Sequence, residues 1–117
     1  YREIVHQVWD ANAGSEHDDY GAMTVKIKDK VHFNTEGIND FITEDELYFN
    51  LISEKEIPAL LSALSAKSGK EETLAWAYEY KNARVFQSLL GHDLNSYTSE
   101  EYKEILRRSA VWVSGRD

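Results

Sequence analysis

The hydrophobic residues change their spacing about halfway along this 117-residue chain, and that change constrains the fold most. From Met23 onward, apolar side chains alternate with polar ones through Val25 and Ile27, which is the period of a strand with one buried face. From Ile57 onward, they follow an i, i+3, i+4, i+7 spacing to Leu64, which is typical of one face of a helix. The sequence therefore predicts strands first and helices second.

The first half contains four segments with strand character. β-branched and aromatic residues predict a first strand over 4–9, before a polar loop over 12–19 that is rich in Gly, Asn and Asp. The alternating run over 23–27 and the pair Val31 and Phe33 predict a hairpin that turns at 28–30. A further strand is expected over 47–52. Short connections between these segments favour an antiparallel meander, and Trp9 is expected in its core.

Before the last helix, the second half contains two segments with helical spacing. A helix is expected from about Ile57, with a capping box formed by Ser53 and Glu56 before it and Gly69 at its end. The segment 71–90 also places apolar residues on one helical face. However, every second residue from Leu74 to Tyr80 is apolar or aromatic, as in a strand: Leu74, Trp76, Tyr78 and Tyr80. A partly extended structure is therefore an alternative for this segment.

The last helix has the clearest signals. Thr98 and Glu101 form a capping-box pattern, and Tyr102, Ile105 and Leu106 make the buried stripe. The whole pattern predicts one α+β domain over 1–117, in which an N-terminal antiparallel meander is covered by about three C-terminal helices. In this interpretation, residues 1–56 are mainly strands and residues 57–117 are mainly helices.

The acidic residues are concentrated in the first half. Residues 1–56 carry 13 Asp and Glu against 5 Lys and Arg, whereas residues 57–117 carry 8 of each kind, so the net charge of −8 arises in the first half. Such a surface attracts basic proteins and disfavours nucleic acid and anionic membranes. The chain has no cysteine and no apolar run near the roughly 20 residues of a membrane helix. We expect a cytoplasmic protein without membrane or nucleic-acid partners.

Carboxylates and tyrosines together predict a surface that binds a basic protein. Tyrosine rings supply stiff contact area, and the carboxylates pair with Lys or Arg of the partner. The predicted partner-binding residues are Glu16, Asp18, Asp19, Tyr20, Asp40, Glu44, Asp45, Glu46 and Tyr48.

No motif for catalysis or cofactor binding is present. The best metal candidate is His17 with Asp18 and Asp19, but this spacing matches neither a calcium loop nor a zinc helix. We therefore favour a solvated acidic loop over a metal site for these residues. The sequence therefore predicts no catalytic residue, no metal, no cofactor and no enzymatic activity. A small metal-binding domain or enzyme that uses the His17 loop is an alternative.

A small, acidic, tyrosine-rich domain without cysteine resembles the immunity proteins of bacterial toxin–immunity pairs. The resemblance lies in the character of the whole chain and not in a motif. It implies a protein that binds a cognate toxin, for example a nuclease, and neutralises it by covering its basic surface. Two alternatives remain: a phage-type nucleic-acid mimic that inhibits restriction or CRISPR proteins, and an adaptor domain of a larger chain.

Overall fold

The structure is a computed structural model that describes residues 1–53 and 55–117. A sheet of five antiparallel strands, curled along its length, forms its centre. Along the chain, the elements are α1 (Arg2–Val5), β1 (Gln7–Val8), β2 (Glu16–His17), β3 (Gly21–Ile27), β4 (Phe41–Asp45), β5 (Tyr48–Phe49), β6 (Ile52–Ser53), β7 (Ala59–Leu64), β8 (Glu71–Tyr80), β9 (Ala83–Ser88) and α2 (Glu100–Val113). Short 3-10 turns cover Ala11–Ala13 and Leu94–Tyr97.

The five-stranded sheet combines strands from both halves of the chain. Its order is β4-β3-β7-β8-β9, and the short strands form two small ladders, β1 with β6 and β2 with β5. Every pair in the sheet is antiparallel. The predicted strand over 23–27 lies within β3. Its partners are β4 and β7, and not a strand over 31–33.

The prediction of a helix from Ile57 is wrong, because this segment is the central strand β7. Leu60, Leu61, Ser62 and Ala63 are all buried, so both faces of the strand are covered. A strand buried on both faces shows a continuous apolar run in place of alternation, and a short run of this kind also satisfies helical spacing. The pattern at 57–64 therefore could not distinguish a buried strand from a helix.

The prediction of a helix over 71–90 is also wrong, and the strand alternative is the correct one. β8 and β9 form a hairpin in which Tyr80 pairs with Ala83 across a two-residue turn. Lys81 occupies the left-handed region in this turn with φ of 55°. Trp76 is completely buried in β8, and its indole nitrogen donates a hydrogen bond to the carbonyl oxygen of Val5 over 3.0 Å.

The third predicted helix is present as α2, which with 14 residues is the longest helix among the described residues. Its buried face carries Tyr102 and Ile105, which pack into the core formed by the sheet. The N-cap is Ser99 and not Thr98, since Ser99 Oγ accepts a hydrogen bond from the amide of Tyr102 over 3.2 Å. The predicted α+β fold with about three C-terminal helices is therefore wrong: the chain is mostly sheet with one substantial helix.

Two smaller expectations about the first half also fail. The segment 4–9 divides into the end of α1, a turn at His6 and β1, and Trp9 is 49% exposed where a core position was expected. No strand covers 31–33. Asp29 Oδ1 instead accepts hydrogen bonds from the amides of Val31 and His32, which begins a loop that leads to β4. No helix in the described part of the chain has both the length and the apolar composition to cross a membrane.

The position of the N-cap can be tested with two alanine variants. We expect Ser99→Ala to lower the free energy of unfolding by about 1 kcal/mol, because the Tyr102 amide loses its acceptor. Thr98→Ala is the matched control: the exposed Thr98 hydroxyl only donates to the carbonyl oxygen of Asn95, so its loss should stay within about 0.5 kcal/mol. Urea unfolding followed by circular dichroism measures both. Equal losses would show that Thr98 shares the capping role.

Candidate functional site

The candidate site forms where the chain leaves β4. From Asp45 to Tyr48 the side chains alternate: Asp45 and Leu47 are buried at about 1% exposure each, while Glu46 and Tyr48 are partly exposed. This alternation follows from the extended backbone, in which successive side chains point to opposite faces. Glu46 and Tyr48 therefore face the same side, and the hydroxyl of Tyr48 donates a hydrogen bond to Glu46 Oε2 over 3.2 Å.

The buried Asp45 carboxylate attaches a second segment to this strand end. Its Oδ2 accepts hydrogen bonds from the Ser96 hydroxyl at 2.6 Å and from the Gly91 amide at 2.7 Å, with the His92 amide at 3.4 Å. Its Oδ1 accepts from the amide of Glu46 at 2.7 Å. These bonds hold the loop 91–96 against β4.

Gly91 is required for the path of this loop. Its φ is 127°, which is unfavourable for any residue with a Cβ, and a Cβ built there would lie 2.6 Å from the hydroxyl oxygen of Tyr97. The loop can therefore pass close to Tyr97 and place His92 beside Glu46. His92 also packs against Tyr20, with ring centroids 5.4 Å apart.

Two imidazoles flank the Glu46 carboxylate. Nδ1 of His17 and Nδ1 of His92 each lie 3.7 Å from Glu46 Oε2, which is too long for a hydrogen bond. At this distance, an imidazole that carries a positive charge is attracted to the carboxylate. The Glu46 side chain is 18% exposed, so its charge is only partly hydrated. Burial and the neighbouring Glu46 carboxylate raise the pKa of the Tyr48 hydroxyl, which keeps it protonated and able to donate.

An aromatic cleft of about 420 Å³ opens beside this carboxylate. The Trp9, His17 and Tyr48 rings contact one another at centroid distances of 5.8–6.1 Å, with Trp9 edge-on to Tyr48 at 82°. Gln7, Leu51 and Leu89 complete the walls. A concave, mainly apolar site with a few polar groups is the usual form of a small-molecule site.

A larger groove of about 550 Å³ lies elsewhere, along β3 and the loop after β7, and it is a weaker candidate. The Asp18 carboxylate in its wall already accepts hydrogen bonds from the Ser65 hydroxyl and from the amides of Ala66 and Lys67, at 2.7–3.1 Å. Burial by itself would raise the pKa of Asp18, but these hydrogen bonds lower it below the ordinary value of 3.8. Asp18 therefore holds the 65–67 segment to β2.

The nine predicted partner-binding residues lie in three different environments. Asp18, Asp40 and Asp45 accept hydrogen bonds within the chain, with Asp40 accepting from the amide of Ile27 over 2.9 Å. Glu16, Asp19 and Glu44 are exposed. Tyr20, Glu46 and Tyr48 lie around the cleft and its neighbouring loop. Their role in binding a partner stays a prediction.

Two residues of the site were missed by the sequence reasoning. Trp9 was assigned to the core, because an isolated tryptophan near a strand gives no sign of its exposure. His92 was not selected, because only the single Gly91 before it marks the turn that brings it to Glu46. In the chain outside residue 54, no three His, Cys, Asp or Glu side chains are grouped so that they could hold a metal ion. The alternative of a metal-binding His17 loop therefore gains no support.

Comparison with known proteins identifies the family. Residues 4–113 match the model of the ThuA family, which is described as trehalose utilisation, so the chain belongs to the ThuA family. A solved structure of a ThuA-like protein from Parabacteroides merdae ATCC 43184 is similar over 97% of this chain, with a TM-score of 0.77 and 25% sequence identity. The match covers 48% of that protein, so this chain spans about half its length. No curated protein matches the chain.

The predicted resemblance to immunity proteins is therefore wrong, and so are the toxin-neutralising function and the immunity keywords that followed from it. The physical reason is visible in the acidic residues. Several of the carboxylates that suggested a surface for a basic toxin instead accept hydrogen bonds within the chain, above all the buried Asp45. The alternative of a nucleic-acid mimic has no better support than the immunity function.

The structural role of Asp18 predicts a pH-dependent stability. Because its pKa is lowered in the folded chain, its contribution is present above the ordinary value of 3.8 and is lost as the pH falls through the lowered pKa. We expect Asp18→Asn to lower the free energy of unfolding at pH 7 by about 1 kcal/mol, and the difference from wild type to shrink at lower pH.

Asp19→Asn is the matched control for this prediction. Asp19 is exposed, and its contact with Lys67 at 3.3 Å is a surface ion pair, so we expect little change at any pH. Urea unfolding at several pH values measures both variants. A loss for Asp18→Asn that stayed constant with pH would contradict the assigned role of its charge.

Proposed function

We propose that this ThuA-family chain binds a neutral sugar in the cleft formed by Trp9, His17, Glu46 and Tyr48. The observation that carries the proposal is the pairing of an aromatic ring with a carboxylate in one cleft. Trp9 is 49% exposed although it is a large apolar residue, and the partly hydrated Glu46 carboxylate lies in the same wall. A sugar ring matches this arrangement, because it presents apolar C–H faces and hydroxyl donors at its edges.

The charge of the cleft favours a neutral ligand over a phosphorylated one. None of the described residues that line it is Lys or Arg, and its charged group is Glu46. A sugar phosphate would meet a carboxylate without a cation to offset the repulsion. A hydroxyl group, in contrast, donates a hydrogen bond to a carboxylate, which is stronger than a bond between neutral groups.

The family description supports the same ligand class. Trehalose is the sugar that the description of the matched ThuA model mentions. Trehalose is neutral and rich in hydroxyl groups, and it is therefore the first ligand to test. The size of the cleft, about 420 Å³, lies within the usual range for small-molecule sites.

Titration with trehalose, followed by tryptophan fluorescence and calorimetry, tests the proposal. Trp9 is the exposed tryptophan of the three, whereas Trp76 and Trp112 are buried, so a change in emission on binding reports on the cleft. We expect Trp9→Ala and Glu46→Gln each to weaken binding about tenfold, equivalent to about 1.4 kcal/mol. The 6-phosphate ester of trehalose should bind more weakly than trehalose to the wild-type chain.

Glu44→Gln and Val31→Ala are the controls for these two variants. Glu44 is an exposed carboxylate on the preceding strand, and Val31 is an exposed apolar residue outside the cleft. Both should bind trehalose as wild type does. Trehalose binding that survives both cleft substitutions unchanged would place the sugar elsewhere, and a wild-type chain without sugar binding would refute the proposal.

A further inference from the structure

The position of one proton on His17 follows from its hydrogen bond. Nδ1 of His17 lies 2.7 Å from the carbonyl oxygen of Asp18. A carbonyl oxygen can only accept, so Nδ1 carries the proton and donates it. In the neutral imidazole the other nitrogen, Nε2, then has a free lone pair and acts as an acceptor.

The lone pair of Nε2 is available in the cleft. Nε2 makes no hydrogen bond to any residue of 1–53 or 55–117, and the ring lines the cleft with its side chain 40% exposed. Contacts with Trp9 and Tyr48 restrict rotation of the ring, and a flipped ring would place a carbon against the Asp18 carbonyl and lose the hydrogen bond. Glu46 beside it is also an acceptor, since its carboxylate already accepts a hydrogen bond from the Tyr48 hydroxyl.

We propose that His17 determines the specificity of the cleft by accepting a hydrogen bond at Nε2 from one hydroxyl group of the sugar, while Glu46 accepts from another. This inference rests on the proposed sugar binding and names the feature of the ligand that the site recognises. His17 Nε2 and the Glu46 carboxylate both accept, so a ligand group that bonds to either of them must donate. A site built to bind a hydroxyl group rejects an analogue that lacks it, because the acceptor is then left unpaired.

His32 provides an internal reference for the tautomer of His17. Its Nδ1 lies 3.1 Å from the amide nitrogen of Asn34, and an amide can only donate. Nδ1 of His32 is therefore the unprotonated nitrogen, and the proton lies on Nε2. The two histidines have opposite tautomers for the same geometric reason, namely the nature of the backbone group that each contacts.

The first arm of the test measures these tautomers without any sugar. Long-range ¹H–¹⁵N correlation spectra of the ¹⁵N-histidine-labelled chain, recorded where the rings are neutral, distinguish a protonated from an unprotonated ring nitrogen. We expect the unprotonated nitrogen to be Nε2 in His17 and Nδ1 in His32. A protonated Nε2 in neutral His17 would overturn the inference.

The second arm measures the affinity for trehalose and for its 2-, 3-, 4- and 6-deoxy analogues. The wild-type chain should bind at least one analogue about tenfold more weakly than trehalose. In His17→Asn, the amide nitrogen can still donate to the Asp18 carbonyl, but nothing occupies the position of Nε2. This variant should lose about tenfold in affinity for trehalose and should no longer distinguish that analogue. His17→Gln, whose amide oxygen can replace the Nε2 acceptor, should recover part of the affinity.

The outcomes separate the two proposals. If wild type binds trehalose and His17→Asn binds it equally well, with the same deoxy discrimination, the role of His17 is refuted while the sugar site stands. If wild type binds no trehalose, the proposed function fails and takes the ligand role of His17 with it, whatever tautomer is found. Loss of affinity in His17→Asn with a folded spectrum, together with coupling to one hydroxyl group, supports the inference.

Discussion

The buried Asp45 carboxylate is the interaction on which the candidate site depends. A buried carboxylate without partners is strongly unfavourable, so its four donors must all come close to it. The donors belong to two segments that are distant in sequence: the amide of Glu46 at the end of β4, and the amides of Gly91 and His92 with the hydroxyl of Ser96. Satisfying this carboxylate therefore fixes the position of two segments of the candidate site. Glu46 and His92 become neighbours because both are attached to Asp45.

The extended backbone after Asp45 places the side chains that form the cleft. Strand alternation buries Leu47 beside Asp45 and turns Glu46 and Tyr48 to the opposite side. β2 pairs with β5, with His17 opposite Tyr48 in register, so the imidazole joins the same wall. Strand alternation and backbone pairing together therefore bring His17, Glu46 and Tyr48 to one wall. Trp9 completes the wall from the segment that follows β1.

Elements with one buried face could be predicted from the sequence, whereas strands that are buried on both faces could not. β3 alternates between core and solvent, and α2 has a polar face, so both were found. β7 and the middle of β8 are covered on both sides, with Leu74, Ala75 and Trp76 all completely buried, and their apolar runs suited a helix as well as a strand. In β4, Thr43 and Asp45 occupy inward positions, so the alternation that marks a strand was hidden. The site depends on pairing between strands that are distant in sequence, as between His17 in β2 and Tyr48 in β5, and pairing of that kind leaves no local signal.

The acidic composition has a different meaning once the structure is known. A count of carboxylates treats each one as surface charge, whereas Asp18, Asp40 and Asp45 each accept backbone hydrogen bonds that shape loops. The carboxylates that remain exposed still give the chain a negative field, which repels anionic ligands without affecting neutral ones. A neutral ligand that donates hydrogen bonds is compatible with that field and with the two acceptors of the cleft wall. In the proposed sugar site, the charge disfavours anionic ligands, and the acceptors His17 and Glu46 favour ligands that donate hydrogen bonds.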